Sequence, residues 1–296
     1  MKRRLLALGC ALILLTGCAP PWESRGGSRL VIGAKNFTEQ VVLGELLAQH
    51  IEARTGMKVE RRFYLAGSYI CQQALRAGRI DGYVEYTGTA LTAILKQPMD
   101  SDAARVRATT AQLYASRYQV RQFPPLGFEN TFAMVVRPES AAGLASPTLS
   151  AAVEAAAKWQ LGVGYEFEQR PDGLPRLLET YGIRFAGQPR TMDLGLLYRS
   201  LAARQVDVIA ANSTDGAIEA MHLTVLADDK HAFPPYEAVP LFRQASLQRW
   251  PGVADAVNEM AGKISADDMR EMNQAVDGEH RPVEEVVREF RQRRGL

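Results

Sequence analysis

Leu75-Arg76-Ala77-Gly78-Arg79-Ile80-Asp81-Gly82-Tyr83-Val84-Glu85-Tyr86-Thr87-Gly88 runs in step with Leu201-Ala202-Ala203-Arg204-Gln205-Val206-Asp207-Val208-Ile209-Ala210-Ala211-Asn212-Ser213-Thr214. Each stretch reads as the end of a helix, a tight turn, a β-strand and a polar pair that opens another helix. Two such units, far apart in the chain, predict two lobes built alike, although two ordinary βαβ units could also match by chance. Ligands of open α/β sheets gather at the carboxyl ends of the strands. Tyr86-Thr87 of one lobe and Asn212-Ser213 of the other are therefore expected to face a shared cleft.

Outward from these units the strand and helix signals keep alternating. Leu30 to Gly33 is a short apolar run, and Thr38 stands at an N-cap position before a helix whose Val42, Leu43, Leu46, Leu47 and Ile51 share one face until Gly56. Val59 to Phe63 alternates as a strand does, Ser68 is placed to cap a helix that Gly78 stops, and Ile80 to Tyr86 is extended. Further helices are expected near 101–117, 148–158, 172–181, 193–204 and 215–221, and strands near 131–136, 161–164, 206–211 and 223–226. This is an α/β pattern with largely parallel sheets. The C-terminal region loses the alternation. Val253, Val257 and Met260 mark one helix, Ser265 with Asp268 resembles a capping box for a second, and Pro282 opens a third carrying Val283, Val286, Val287 and Phe290. Such a tail is expected to pack back on an earlier lobe.

The chain has 296 residues, 47% hydrophobic and 8% aromatic, with 35 Lys+Arg against 33 Asp+Glu. That is enough apolar material for one large domain or two lobes, and it excludes disorder, collagen and a disulfide scaffold. A net charge of +2 gives no reason to expect a nucleic-acid partner. Arg288, Arg291, Arg293 and Arg294 read as the solvated face and last turn of a helix.

Residues 1–17 read as an export signal. Lys2, Arg3 and Arg4 precede an apolar stretch from Leu5 to Leu15 that is short for a membrane span. Leu15-Thr16-Gly17-Cys18 resembles the lipobox of bacterial lipoproteins, which makes Cys18 the expected lipidation site and residues 18–28 a tether. The protein is then expected to be exported, as a periplasmic or cell-surface lipoprotein, with the lipid as its membrane attachment. Cys71 reads as a lone packed thiol. An enzyme is disfavoured. His50, His222, His231 and His280 form no metal-spaced pair, and the chain has no phosphate-binding Gly-rich loop and no nucleophile elbow. Asp81 and Asp207 read as turn or capping groups, and no metal or cofactor is expected.

Five further stretches carry a resemblance. They are Ile32-Gly33-Ala34-Lys35-Asn36-Phe37-Thr38-Glu39-Gln40, Glu85-Tyr86-Thr87-Gly88-Thr89, Tyr165-Glu166-Phe167-Glu168-Gln169-Arg170-Pro171-Asp172-Gly173, Ser213-Thr214-Asp215-Gly216 and Asp228-Asp229-Lys230-His231-Ala232-Phe233-Pro234-Pro235-Tyr236. In this order they resemble the motifs of osmoprotectant-type substrate-binding proteins of ABC importers, which capture glycine betaine, choline, carnitine and related quaternary ammonium compounds. The resemblance spans the whole mature chain. It implies a type II periplasmic-binding-protein fold, two α/β lobes joined by two crossing segments with the ligand cleft between them. The crossings are expected near Thr131 to Val136 and Glu237 to Leu241, with residues 29–132 and the helical tail 238–296 forming lobe one and residues 133–237 forming lobe two. The implied partners are an ABC permease and its ATPase, with the binding protein itself a monomer.

A trimethylammonium group donates no hydrogen bond, so proteins hold it against aromatic faces, each worth ~0.5 to 2 kcal/mol. The family's cage positions fall on Tyr86, Phe132, Asn212 and Tyr236, of which Asn212 alone is not aromatic. For a carboxylate at the other end of the ligand, the pattern implies Lys35 and Arg170, with the Thr89 hydroxyl nearby. Each has a plainer reading: the tyrosines as packing residues, Lys35 as a surface charge, and Arg170 as a brace on Asp172. Two other functions stay open. One is a binding protein for a different cationic or zwitterionic solute that meets the Asn212 amide, and the other is a sensor lobe that signals to a membrane receptor.

Overall fold

The computed structural model describes residues 29–296. The signal segment 1–17, Cys18 and the tether 18–28 lie outside the described residues. The first half of the chain runs β1 (Leu30–Lys35), α1 (Thr38–Thr55), β2 (Val59–Leu65), α2 (Ser68–Arg76), β3 (Gly82–Tyr86) and a short α3 (Thr87–Thr89) that continues as a π-helical turn, Ala90–Ile94. Next come α4 (Ala103–Tyr118) and β4 (Val120–Gln122). The second lobe runs β5 (Phe132–Val136), α5 (Pro138–Ala142), α6 (Leu149–Ala156), β6 (Leu161–Val163), α7 (Tyr165–Gln169), α8 (Leu174–Tyr181), β7 (Arg190–Thr191), α9 (Leu194–Ala202), β8 (Val208–Asn212), α10 (Ala217–Ala220) and β9 (Thr224–Leu226). The chain then returns through β10 (Ala238–Arg243) to α11 (Gln244–Arg249), α12 (Gly252–Glu259), α13 (Ala266–Asp277) and α14 (Val283–Arg294).

The two sheets repeat one topology. Their strand orders are β2-β1-β3-β10-β4 and β7-β6-β8-β5-β9. The internal echo extends to hydrogen bonds. Asp81 accepts from Val31 N at 2.8 Å while its own N–H donates to the Val31 carbonyl, and Asp207 makes the same pair of bonds with Gln160. Each acid thus clips the start of its strand to the neighbouring one. Arg137, just after β5, donates to Asp207 at 2.9 Å, and Arg243, at the end of β10, lies 4.0 Å from Asp81.

The sheets are mixed, not largely parallel as expected. β1, β2 and β3 are parallel, as are β6, β7 and β8, but β10 runs antiparallel to β3 and β5 antiparallel to β8. The cause is the route of the chain. Ala238 pairs with Tyr86 and Phe132 with Asn212, so each returning strand enters at the cleft end of its neighbour and must run the other way. The spans 131–136 and 237–241 are largely these strands themselves. The passage between sheets lies just ahead of each, where Glu129 and Glu237 form an isolated bridge and Asn130 N donates to the Tyr236 carbonyl at 3.1 Å.

Local starts also differ from expectation. Phe37 occupies the N-cap of α1 without a side-chain bond, and the Thr38 hydroxyl instead donates to Asp277 of α13 at 2.6 Å. Gly67, not Ser68, is the N-cap of α2. Gly56, at φ 69°, closes α1 in the left-handed region that glycine adopts without a Cβ penalty. The capping box of Ser265 and Asp268 is present, and Pro282 precedes α14. The tail packs on the first lobe: α12, α13 and α14 all lie against α1, with Val286, Val287 and Phe290 in the same core as Leu43, Leu46 and Leu47. Cys71 is free and buried, and burial pushes its thiol up to about 12. Among the described residues no helix is long and apolar enough to cross a membrane.

Candidate ligand-binding site

Between the sheets lies a cavity lined by all seven residues singled out from the sequence: Lys35, Tyr86, Thr89, Phe132, Arg170, Asn212 and Tyr236. Their placement follows from strand ends. Lys35 ends β1, Tyr86 ends β3, Asn212 ends β8 and Phe132 begins the strand paired beside it. Thr89 lies in the first turn after β3, and Arg170 caps the C-terminus of α7.

The aromatic walls come from both lobes and from the crossing. Phe132 sits edge-on to Phe167, Phe233 and Tyr236, with ring centroids 4.8, 5.5 and 5.6 Å away. Tyr236 fits tightly because Gly88 faces it: a Cβ at that position would stand 2.8 Å from the tyrosine ring. The Arg170 guanidinium carbon is 4.9 Å from the Phe132 centroid, and the Lys35 ammonium is 4.8 Å from that of Tyr86.

Both cations already have carboxylate partners. Lys35 is buried, not a surface charge, and pairs with buried Glu85. Arg170 donates through Nε to Asp172 Oδ1 at 3.0 Å and through Nη2 to Asp172 Oδ2 at 2.5 Å, so the brace on Asp172 is real. Nη2 also donates to Thr89 Oγ1 at 2.9 Å in the other lobe, and the Tyr236 hydroxyl donates to Asp172 Oδ2 at 2.7 Å. Burial alone would raise the Asp172 carboxyl, but the Arg170 charge and hydrogen bonds hold it below its ordinary value. Arg170 is raised in turn: its burial opposes the charge and Asp172 outweighs it.

Behind Tyr86 stands Glu39, buried and without a cation partner among the described residues. It accepts from the Tyr86 hydroxyl, from Thr214 Oγ1, from Asn130 Nδ2 at 2.9 Å and from Asn273 Nδ2 at 3.2 Å. Burial raises its pKa despite these four donors. Asp215, next to Thr214, is half-buried, and the loss of water around it pushes it up to about 7. It accepts from Asn212 N at 3.1 Å and from the Tyr198 hydroxyl at 2.9 Å.

The sequence reading missed other lining residues. Phe37, Tyr165, Glu166 and Phe167 line the cavity and lie inside the quoted motifs, so their positions were in view and their roles were not. Tyr165 is 61% exposed at the rim. Asn130, Met192, Asp193 and Leu194 lie outside every quoted motif, and of these only Asp193, the N-cap of α9, carries a local signal. Apolar rings around a few fixed polar groups between two lobes suit a small organic solute. Among the described residues no cluster of His, Cys, Asp and Glu could hold a metal ion.

Comparisons with known proteins place the chain in a family. The family described as "Substrate binding domain of ABC-type glycine betaine transport system" matches residues 28–293. The chain is 32% identical over 303 residues to the carnitine transport binding protein OpuCC of Listeria monocytogenes, covering 99% of this chain and 97% of that one. It is also 32% identical over 297 residues to the glycine-betaine-binding protein of Pseudomonas aeruginosa, covering 97% and 93%. A solved structure described as a glycine betaine/carnitine/choline ABC transporter superposes with a TM-score of 0.74 at 31% identity, covering 90% of this chain and 98% of that one. The chain belongs to the family of substrate-binding domains of ABC-type glycine betaine transport systems.

Proposed function

We propose that this protein is the lipid-anchored solute-binding subunit of an ABC importer and that it captures a quaternary ammonium solute between two closing lobes. Residues 29–132 with 238–296 form one lobe and 133–237 the other, and lipid on Cys18 holds the exported protein at the membrane. One observation carries the reading: Tyr86, Phe132 and Tyr236 offer aromatic surface to one cavity that also holds Arg170 and Lys35. A cation is held by the ring faces, and the remaining Arg170 N–H groups meet an anionic end. Closure lowers the free energy because both lobes then contact the ligand at once.

The charges favour a particular order of solutes. Lys35 and Arg170 are each matched by a buried carboxylate, and Asp193 adds a further carboxylate to the cavity lining. A net cation such as choline is therefore accommodated at least as well as zwitterionic glycine betaine. The second reading, a cationic or zwitterionic solute with its own polar group, is favoured by the Asn212 amide, which can donate and accept hydrogen bonds. The test is calorimetric titration with choline, glycine betaine, carnitine, amino acids and polyamines, paired with melting curves. A cognate solute binds the folded form and raises the melting temperature. Saturable binding confined to amino acids or polyamines would overturn the quaternary ammonium assignment.

A further inference from the structure

Glu166 stands in the first turn of α7 in the second lobe, and its carboxylate reaches the first. Ser68 N–H donates to Oε1 at 2.6 Å, and the Ser68 hydroxyl donates to Oε2 at 3.1 Å. Ser68 is the first residue of α2, where unpaired backbone N–H groups carry the positive end of the helix dipole. A charged acceptor there makes a stronger bond than a neutral one. Gly67 leaves room for this carboxylate: an added Cβ would meet Glu166 Oε1 at 2.6 Å and Cδ at 3.0 Å, so the flexible glutamate would have to swing off its seat. Its φ of 169° is extended backbone that any residue adopts. The bare Cα at Gly67 therefore serves the close approach of Glu166, not a turn. The same carboxylate lies 3.7 Å from Arg170 Nη1, and Arg170 Nη2 bonds Thr89 across the same cleft.

We propose that Glu166 is a positioning residue for lobe closure. Its carboxylate seats on the N-terminus of α2 when the lobes meet, and this holds Arg170 against Thr89 beside the enclosed solute. The inference rests on the reading of the chain as a protein that closes on its ligand. Because the contact joins lobe to lobe, its loss weakens solutes with and without a carboxylate by the same factor. The effect falls on dissociation, since a broken contact between lobes shortens the life of the closed state.

The test is a double-mutant cycle in the full chain with Glu166→Ala, Gly67→Ala and the pair. Each variant is titrated with glycine betaine and with choline, dissociation is followed by stopped flow, and amide exchange of residues 66–72 is measured without ligand. Each single change is expected to raise Kd roughly tenfold for both solutes, with the pair no worse than Glu166→Ala alone. Exchange at 66–72 rises in parallel, and Glu166→Gln, which keeps one acceptor, recovers part of the loss. Additive losses overturn the proposal because they make the Gly67 effect independent of Glu166. A loss confined to one solute also overturns it, by making Glu166 a ligand contact. If the unmutated protein binds neither solute, the functional reading fails on its own. The exchange arm still decides the latch, with a non-additive rise supporting it and an additive rise overturning it.

Discussion

Arg170 commits Nε and Nη2 to Asp172 and shares Nη2 with Thr89, which leaves Nη1 facing Glu166 at 3.7 Å, beyond hydrogen-bond distance. An arginine that only gripped a ligand carboxylate would leave choline unaffected when removed. This one also neutralises a buried acid, so Arg170→Ala strands Asp172 without its cation. Breaking a buried pair in this way costs about 3 to 5 kcal/mol, and binding of betaine and choline alike is expected to suffer. Urea unfolding and calorimetry on the same variant check both halves, and unchanged stability would return Arg170 to a purely ligand-facing role. Asn212 gives the opposite experiment. Asn212 lines the cavity beside Phe132, and if it stands in for one wall of an aromatic cage, Asn212→Tyr should tighten glycine betaine binding by up to roughly 30-fold. No gain on titration would remove position 212 from the cage. Lys35, Tyr86, Thr89, Arg170 and Tyr236 were legible because each sits in a quoted motif, Asn212 because it ends the internal echo, while Phe132 stood only at the head of an expected strand and was placed by the resemblance. Glu166 was in plain view in one of those motifs, but its partner Ser68 lies 98 residues away, and linear spacing does not report such a pairing.

At the scale of the element, the first turn of α1 holds more of the molecule together than its sequence suggests. Glu39 joins that turn to β3 through Tyr86, to the crossing through Asn130, to the second lobe through Thr214 and to α13 through Asn273. Glu39→Ala leaves these buried donors without an acceptor, and unmade buried hydrogen bonds cost about 1 to 3 kcal/mol each before relaxation. A loss of at least about 3 kcal/mol of folding stability is expected from denaturant titration, with a smaller loss for Glu39→Gln, which keeps one acceptor. Equal stability of Glu39→Ala and the unmutated protein would show that the hub is solvated rather than dry. α1, β3 and α9 lie nearly where the sequence places them, although α1 is buried nearly all round and not on one face, and β3 is buried at every position. For β10 the resemblance implies only a crossing segment. Pro240 sits in its middle, and a proline ordinarily argues against a central strand. Here the proline carbonyl is still used, accepting from Phe123 N at 2.9 Å. The antiparallel returns were not legible either, because strand direction depends on the point at which the chain enters each sheet.

At the scale of the whole molecule, the two lobes meet around buried Glu39 and half-buried Asp215, neither of which contacts a cation among the described residues, and this fixes how stability responds to pH. Asp215 is raised by burial to about 7 from an ordinary value of 3.8, although Asn212 N and the Tyr198 hydroxyl donate to it; the charge of Glu39 raises it further. The folded state therefore holds a proton that the unfolded chain has already released between those two values. Stability rises with pH only where the unfolded state binds more protons, and here the folded state binds more. The Asp215 contribution is full below about 3.8, falls as pH rises through about 7, and is flat above. Asp172 acts in the opposite sense, since its lowered pKa makes its contribution vanish as pH falls. The two are separated by comparing the unmutated protein with Asp215→Asn, because the Asp172 term is common to both and cancels. The asparagine keeps an acceptor for Tyr198 and Asn212 N but cannot ionise. Its stability relative to the unmutated protein is expected to grow by about 2 to 4 kcal/mol between pH 4 and pH 7.5, read from urea midpoints in a pH series. A difference that stays flat across that window would mean Asp215 ionises as readily in the fold as in the open chain, and that water reaches the junction between the lobes.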